Sequence, residues 1–316
     1  MNKKVVVLGG GKGISYLLAG LKDFPLDITA VITVADNGKS TGKLREEFHI
    51  PAVGDVRKVI TSMSGSDETI KKMLEYRFHT TSDLDGHALG NLILTSLLDI
   101  TGSLKSAIEE LSILLDVKSN IFPLTEDKNI TLMGEATDGS IIEGEEMITK
   151  SPKKIKRLFY KEEPNVLKEV ITAINEADLV LLSMGSLYTS LFPNLLSKKV
   201  ITALDKTKFP IMYVCNIVTQ PGETDNFTVS DHVNLINEYL GKHKLDVVIA
   251  SNSPISKEMA EKYACEERKD PVKIDYAVLK ALDVEFIEAD LLTIADDTLK
   301  HHSQKLSSLI FSYLMR

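Results

Sequence analysis

Four apolar runs in this chain each stop abruptly in a cluster of Gly, Asn, Asp, Ser and Thr: VVVLGGGKGIS, VITVADNGKS, LVLLSMGSLYTS and IMYVCNIVTQPGET. Short β-branched runs bounded by glycine, without polar alternation, are the pattern of strands buried on both faces in a parallel sheet. The stretch Ile14 to Leu21 after the first run has helical spacing, which is the β-loop-α opening of a doubly wound fold. Polar clusters at strand ends collect backbone N–H groups and short side chains along one sheet edge, where a phosphorylated ligand is held. A protein that holds a nucleotide-like molecule is the expectation.

Composition narrows the choice. With 316 residues, 43% hydrophobic and 26% charged, the chain can bury a large core, as one α/β domain or two smaller ones. A net charge of -8 argues against a nucleic-acid-binding face, which needs a basic footprint. A single nucleotide is not excluded, because amides and one or two local cations meet its charge. Cys215 and Cys265 are far apart and in no C-x-x-C arrangement, so neither a disulfide framework nor a structural zinc site is indicated. The first apolar stretch is too short for a signal peptide, and nothing approaches the roughly 18 apolar residues of a membrane helix. A cytoplasmic location without membrane insertion is the expectation.

Along the chain, Lys4 to Leu8, Ile28 to Val34, Leu179 to Met184, Ile211 to Val214 and Val247 to Ala250 read as strands, with Glu285 to Ile287 a weaker one. Residues 55 to 115 are largely helical, with starts at Asp67, near Asp85 and at Ser103. Asn120 to Met147 alternates in short pieces around Thr137-Asp138-Gly139, which predicts a small β insertion around 119–150. Ile155 to Phe159 resumes as strand and Val166 to Ile174 as helix, and Thr298 to Met315 reads as a closing helix. No linker composition demands a boundary, so residues 1–316 read as a single domain.

The first glycine run fails both common nucleotide motifs. From Gly9 or Gly11 the last position of G-x-G-x-x-G falls on Ile14 or Tyr16, and Lys12 is followed by Gly13, so no Walker A loop exists. What remains is a set of glycines between strand and helix, suited to close approach of backbone and phosphate or to a tight turn without ligand. Asp36, at the end of the second strand, is placed to reach a ribose hydroxyl, to hold a divalent ion, or to make an Asx turn with Asn37 and Ser40. Gly54-Asp55-Val56-Arg57 puts a carboxylate and a guanidinium at a helix start, in a solvated cap or a shaped loop. His87 precedes an apolar helix in which Gly90 and Asn91 suggest close approach of another group. Gly185-Ser186-Leu187-Tyr188 offers amides at a further helix start, or an N-cap. The polar segment NIVTQPGETD, with Asn216, Thr219 and Gln220, is the best single candidate for substrate contact.

GGGKGIS, VADNGKSTGKLR, GDVR, HALGN, GSLYTSLFPNLL and YVCNIVTQPGETDNFTVSDHV, in that order, resemble the YvcK-type gluconeogenesis factors, relatives of the phospholactate transferase of deazaflavin coenzyme synthesis. The match runs from the first strand to at least His232. The resemblance implies a Rossmann-like three-layer α/β/α fold, with a mostly parallel sheet and the ligand over the carboxyl ends of the strands. It also implies phosphate-facing residues Gly10, Gly11, Lys12, Gly185, Ser186 and Leu187, with Asp36, Asn37, Asp55 and Arg57 as a polar wall. Asn216, Thr219 and Gln220 line the same cleft by this correspondence. Lys12 stands where the family pattern has Thr, and ADNGKSTG departs from the family's acidic and small pair. Tyr263 is an aromatic that would either stack on a base or sugar, or pack in the core. His301 and His302 are adjacent, so their rings point to different helix faces.

By that resemblance the function is binding of a UDP-sugar or similar nucleotide diphosphate by a regulator. Such a regulator serves growth on gluconeogenic carbon sources, cell shape and wall synthesis, with protein partners in wall synthesis. The alternative is a transferase moving a phospholactyl group from a guanosine diphosphate carrier onto a deazaflavin with Mg2+, for which Asp36, Asp55 and Arg57 are the catalytic candidates. An NAD-dependent dehydrogenase rests on the failed glycine spacing alone. Assembly as a homodimer stays open at this level.

Overall fold

A computed structural model describes residues 2–295 and 297–316. Seven strands form its central sheet: β1 (Lys3–Gly9), β2 (Leu26–Ile32), β3 (Asn120–Pro123), β4 (Leu179–Leu182), β5 (Ile211–Val214), β6 (Val247–Ser251) and β7 (Glu285–Ala289). Their spatial order is 3-2-1-4-5-6-7, and every neighbouring pair is parallel. Strand order therefore reverses between β1 and β4, the place where open α/β sheets leave a crevice at their carboxyl ends.

Side-chain alternation along β1 explains the three layers. Val5 and Val7 point into one apolar core, and Val6 and Leu8 into another on the opposite face. The first core is covered by helices α1 (Gly11–Leu21), α3 (Gly54–Met63) and α5 (Leu89–Thr101), by Leu104–Leu114, and by the last helix, Ser303–Leu314. Between them in sequence lie α2 (Lys39–Phe48) and α4 (Glu68–Glu75). The second core packs under Lys168–Glu176, Leu187–Leu195, Lys198–Leu204 and Val229–Tyr239. The fold is Rossmann-like α/β.

Three expectations are corrected. Asn120–Pro123 joins the central sheet beside β2, so the insertion begins later than residue 119 and runs on past 150. Its sheet is Leu132–Ala136 between Ile141–Glu143 and Ile155–Tyr160, antiparallel throughout, with the short helix Glu145–Lys150 attached. Thr298–His301 is not helical: it pairs antiparallel with Leu292–Ala295, and the closing helix starts only at Ser303. Asp67 and Ser103 are N-caps as the sequence predicts, each side chain accepting from an amide three residues on. Among the described residues no helix is long and apolar enough to cross a membrane.

Candidate functional site

The loops leaving β1 and β4 meet at the reversal of strand order. A Cβ on Gly13 would lie 1.9 Å from the carbonyl oxygen of Met184, so only glycine lets α1 start this close to the exit of β4. Gly10 and Gly11 lie between Asp55 on one side and Ser190 on the other. The first exposed amide of α1 is already used: Gly11 N donates to Asp55 Oδ2 at 2.7 Å, while Lys58 Nζ holds Asp55 Oδ1 at 2.8 Å.

The second amide cluster is filled in the same way. Ser186 Oγ donates to both carboxylate oxygens of Glu223, at 2.7 and 2.8 Å, and Tyr188 N approaches the same group at 3.4 Å. Burial, opposed by these donors, pushes the Glu223 carboxyl up to about 7. Two of the expected phosphate-facing donors, Gly11 N and Ser186 Oγ, are thus answered by the protein's own acidic side chains, Asp55 and Glu223. Gly185 is occupied too, its N and O pairing with the Asn216 side chain at 2.8 Å each, which stitches the β4 and β5 exits together.

Acidic groups gather over the crevice. Asp36 accepts from Gly38 N at 2.9 Å, and its carboxyl is raised by burial first and by Asp55 second. Glu145, delivered by the insertion, is pushed up to about 7 by burial and then by Asp36. Asn37 holds that delivery in place, since its Oδ1 accepts from Glu146 N at 2.9 Å and so caps the insertion helix. Among the described residues no three His, Cys, Asp or Glu side chains are grouped to hold a metal ion. Both oxygens of Asp55 and one of Asp36 are committed to protein donors, so this set does not fit Mg2+ as it stands.

Arg57, His87 and Asn91 do come together, through Ser40. His87 Nδ1 lies 3.1 Å from Ser40 Oγ, Asn91 Nδ2 donates to that oxygen at 3.2 Å, and Arg57 Nε donates to Asn91 Oδ1 at 3.3 Å. All four residues are buried. Gly90 is the opening through which this happens, because a Cβ there would meet Leu74 O at 2.7 Å and the Arg57 Cγ and Cδ at 2.9 Å. The close approach suggested by Gly90 is that of Arg57 itself.

Two sequence candidates, Thr219 and Tyr263, have side chains tied by hydrogen bonds to other parts of the chain. Thr219 is buried and exchanges hydrogen bonds with the Asp270 backbone, at 2.8 and 2.9 Å. Gln220 N donates to Thr224 Oγ1 at 2.8 Å, inside its own turn. Tyr263 is buried with its hydroxyl accepting from Leu299 N at 2.7 Å, so it packs against the C-terminal hairpin and offers no open stacking face. His301 and His302 separate: the first, buried, faces Cys215 O at 3.1 Å, and the second caps the last helix. Cys215 is buried and its thiol pushed up to about 12, so it is no nucleophile. Glu145 was missed in the sequence because only tertiary structure brings the insertion to this edge, whereas Ser190 and Glu223 lie within the quoted strand-end strings without a signal that singles them out.

A doubly wound parallel sheet with a polar, carboxylate-rimmed crevice at its reversal point defines a Rossmann-like α/β protein. The sequence matches the 2-phospho-L-lactate transferase CofD family over residues 5–292. It is 42% identical over 309 residues to a gluconeogenesis factor of Halalkalibacterium halodurans, covering 98% of this chain and 95% of that one. The Bacillus subtilis gluconeogenesis factor is 39% identical over 312 residues, 98% of each chain. A crystal structure of a UPF0052 family member from Bacillus halodurans superposes with a TM-score of 0.94 at 41% identity, covering 98% of this chain and 99% of that one. The chain belongs to the CofD family, among its gluconeogenesis factors.

Proposed function

We propose that the protein binds a nucleotide sugar, of the UDP-sugar class, and acts as a cytoplasmic regulator needed for growth on gluconeogenic carbon sources. Its relatives carry the name gluconeogenesis factor over their full length, which supports the physiological half of this reading. The observation that carries the molecular half is the crevice between β1 and β4, where Gly10, Asp36, Asp55, Glu145 and Ser190 meet. Carboxylates accept from sugar and ribose hydroxyls, so this rim suits a polyhydroxylated ligand. Cell shape and wall synthesis, with protein partners there, complete the proposal. Calorimetric titration with UDP-N-acetylglucosamine, UDP-glucose and UDP tests it: saturable binding of a UDP-sugar is expected, and no binding of any of the three rejects it.

The family match favours a second reading, a phospholactyl transferase. In that reaction Arg57 and Asp55 would orient the reactants. Incubation with guanosine diphospholactate, a deazaflavin acceptor and Mg2+ should then release GMP. Absence of turnover removes this reading and leaves the first standing.

A further inference from the structure

The insertion meets α2 across a hollow seam. A cavity of about 430 Å3 lies between them, with Asn37, Gly42, Arg45, His49, Lys128 and Glu143 in its walls, so side-chain packing does not set their spacing on this side. Polar bonds set it. The Arg45 guanidinium spans the seam: Nη1 donates to Ala35 O at 3.3 Å and to Asp36 O at 2.9 Å, in the loop leaving β2. Its Nη2 donates to Ile130 O at 2.7 Å and to Lys128 O at 3.5 Å, at the root of the insertion. Asn37 crosses in the same direction to Glu146 N, and a Cβ on Gly144 would lie 2.6 Å from Asn37 Nδ2, so only glycine allows this approach.

All four terminal N–H groups of Arg45 are spent on backbone carbonyls of these two segments, where a guanidinium ordinarily takes a carboxylate. The segment gripped on one side carries Asp36, and the insertion gripped on the other delivers Glu145, whose carboxyl feels the Asp36 charge. The far end of the insertion is secured independently. Tyr160 Oη donates to Pro193 O at 2.9 Å and Leu158 N to Tyr239 Oη at 3.0 Å, with Ile148 and Leu158 in the second apolar core. Loss of Arg45 therefore frees the near edge of the insertion without unseating it.

We propose that Arg45 is a positioning residue that sets Glu145 opposite Asp36, and that through this spacing it selects the sugar of the ligand. Its own donors being occupied, it acts only through the two carboxylates. The sugar selection rests on the nucleotide-sugar reading; the spacing rests on the hydrogen bonds alone.

Two measurements on the full chain test it: a carbon-13 NMR titration of the Glu145 carboxyl, assigned by its absence in Glu145→Gln, and calorimetry with UDP-N-acetylglucosamine and with UDP. Burial first and Asp36 second push the Glu145 carboxyl up to about 7, so in Arg45→Met and Arg45→Lys its midpoint should fall towards the ordinary 4.5 as the insertion edge moves away. Lysine keeps the charge, but one ammonium does not divide its donors between two segments. A pure charge effect has the opposite sign, since deleting a cation raises a nearby carboxyl in Arg45→Met and leaves Arg45→Lys unchanged. Both variants should bind UDP-N-acetylglucosamine about tenfold more weakly, with UDP changed less than about twofold. A Glu145 midpoint that stays in place or rises overturns the positioning role. Equal weakening of both ligands overturns the sugar selection. If the unaltered chain binds neither ligand, the nucleotide-sugar reading falls, and the Glu145 shift alone decides the spacing.

Discussion

The Glu223 carboxylate sits 2.7 and 2.8 Å from the Ser186 hydroxyl, closing the turn after β4 with a buried acid from the loop after β5. That acid holds its proton up to about pH 7 in the fold, against an ordinary value of 4.5. Folding therefore takes up a proton between these values, and stability falls as pH rises through the window, then levels off above it. The contribution is at most about 3 kcal/mol. Glu223→Gln should flatten this slope in denaturant unfolding measured across pH, and an unaltered slope would show that Glu223 does not titrate there.

His301 acts with the opposite sign. Its imidazole is buried against Cys215 O and pushed down to about 4 from 6.5, so the folded state keeps it neutral while the unfolded chain protonates it. Stability is then lost as pH falls from 6.5 towards 4. His301→Gln should remove this acid limb and leave the slope attributed to Glu223 in place.

Gly90→Ala pits helix propensity against a clash. In an open helix Ala gains up to about 1 kcal/mol over Gly, but here the new Cβ meets Leu74 O at 2.7 Å and Arg57 carbons at 2.9 Å. Overpacking of this kind costs about 1 to 3 kcal/mol, so urea unfolding should show net destabilisation. A stabilised variant would mean that Arg57 is not held against Gly90.

Tyr263→Phe removes the acceptor for Leu299 N in a buried position. A loss of about 1 to 3 kcal/mol in stability is expected, with nucleotide-sugar affinity unchanged. A drop in affinity at unchanged stability would restore the stacking role that the structure takes away.

The strands were legible because a strand covered on both faces must be apolar throughout, and Val5 to Leu8 or Leu179 to Leu182 can be nothing else. Asn120–Pro123 was not, because a four-residue edge strand ending in proline carries little pattern. The hairpin before the last helix was hidden by apolar residues that continue the helical spacing of Leu306 and Ile310 backwards to Leu299. Asp297, at φ 56°, marks the turn there, but an aspartate pair reads equally well as a helix cap. Within the site, sequence pattern shows which loops reach the sheet edge, whereas which donor answers which acceptor depends on contacts across large separations. Glu223 to Ser186 and Glu146 to Asn37 are such contacts, so the filling of the amide clusters could be seen only in the folded chain.

A crystal of the full chain soaked with UDP-N-acetylglucosamine tests the central claim most directly. The ligand should lie at the carboxyl edge beside the β1–β4 reversal, with hydroxyls toward Asp36 and Glu145. Density for the ligand on another face of the molecule, or hydroxyls remote from Asp36 and Glu145, would contradict the account.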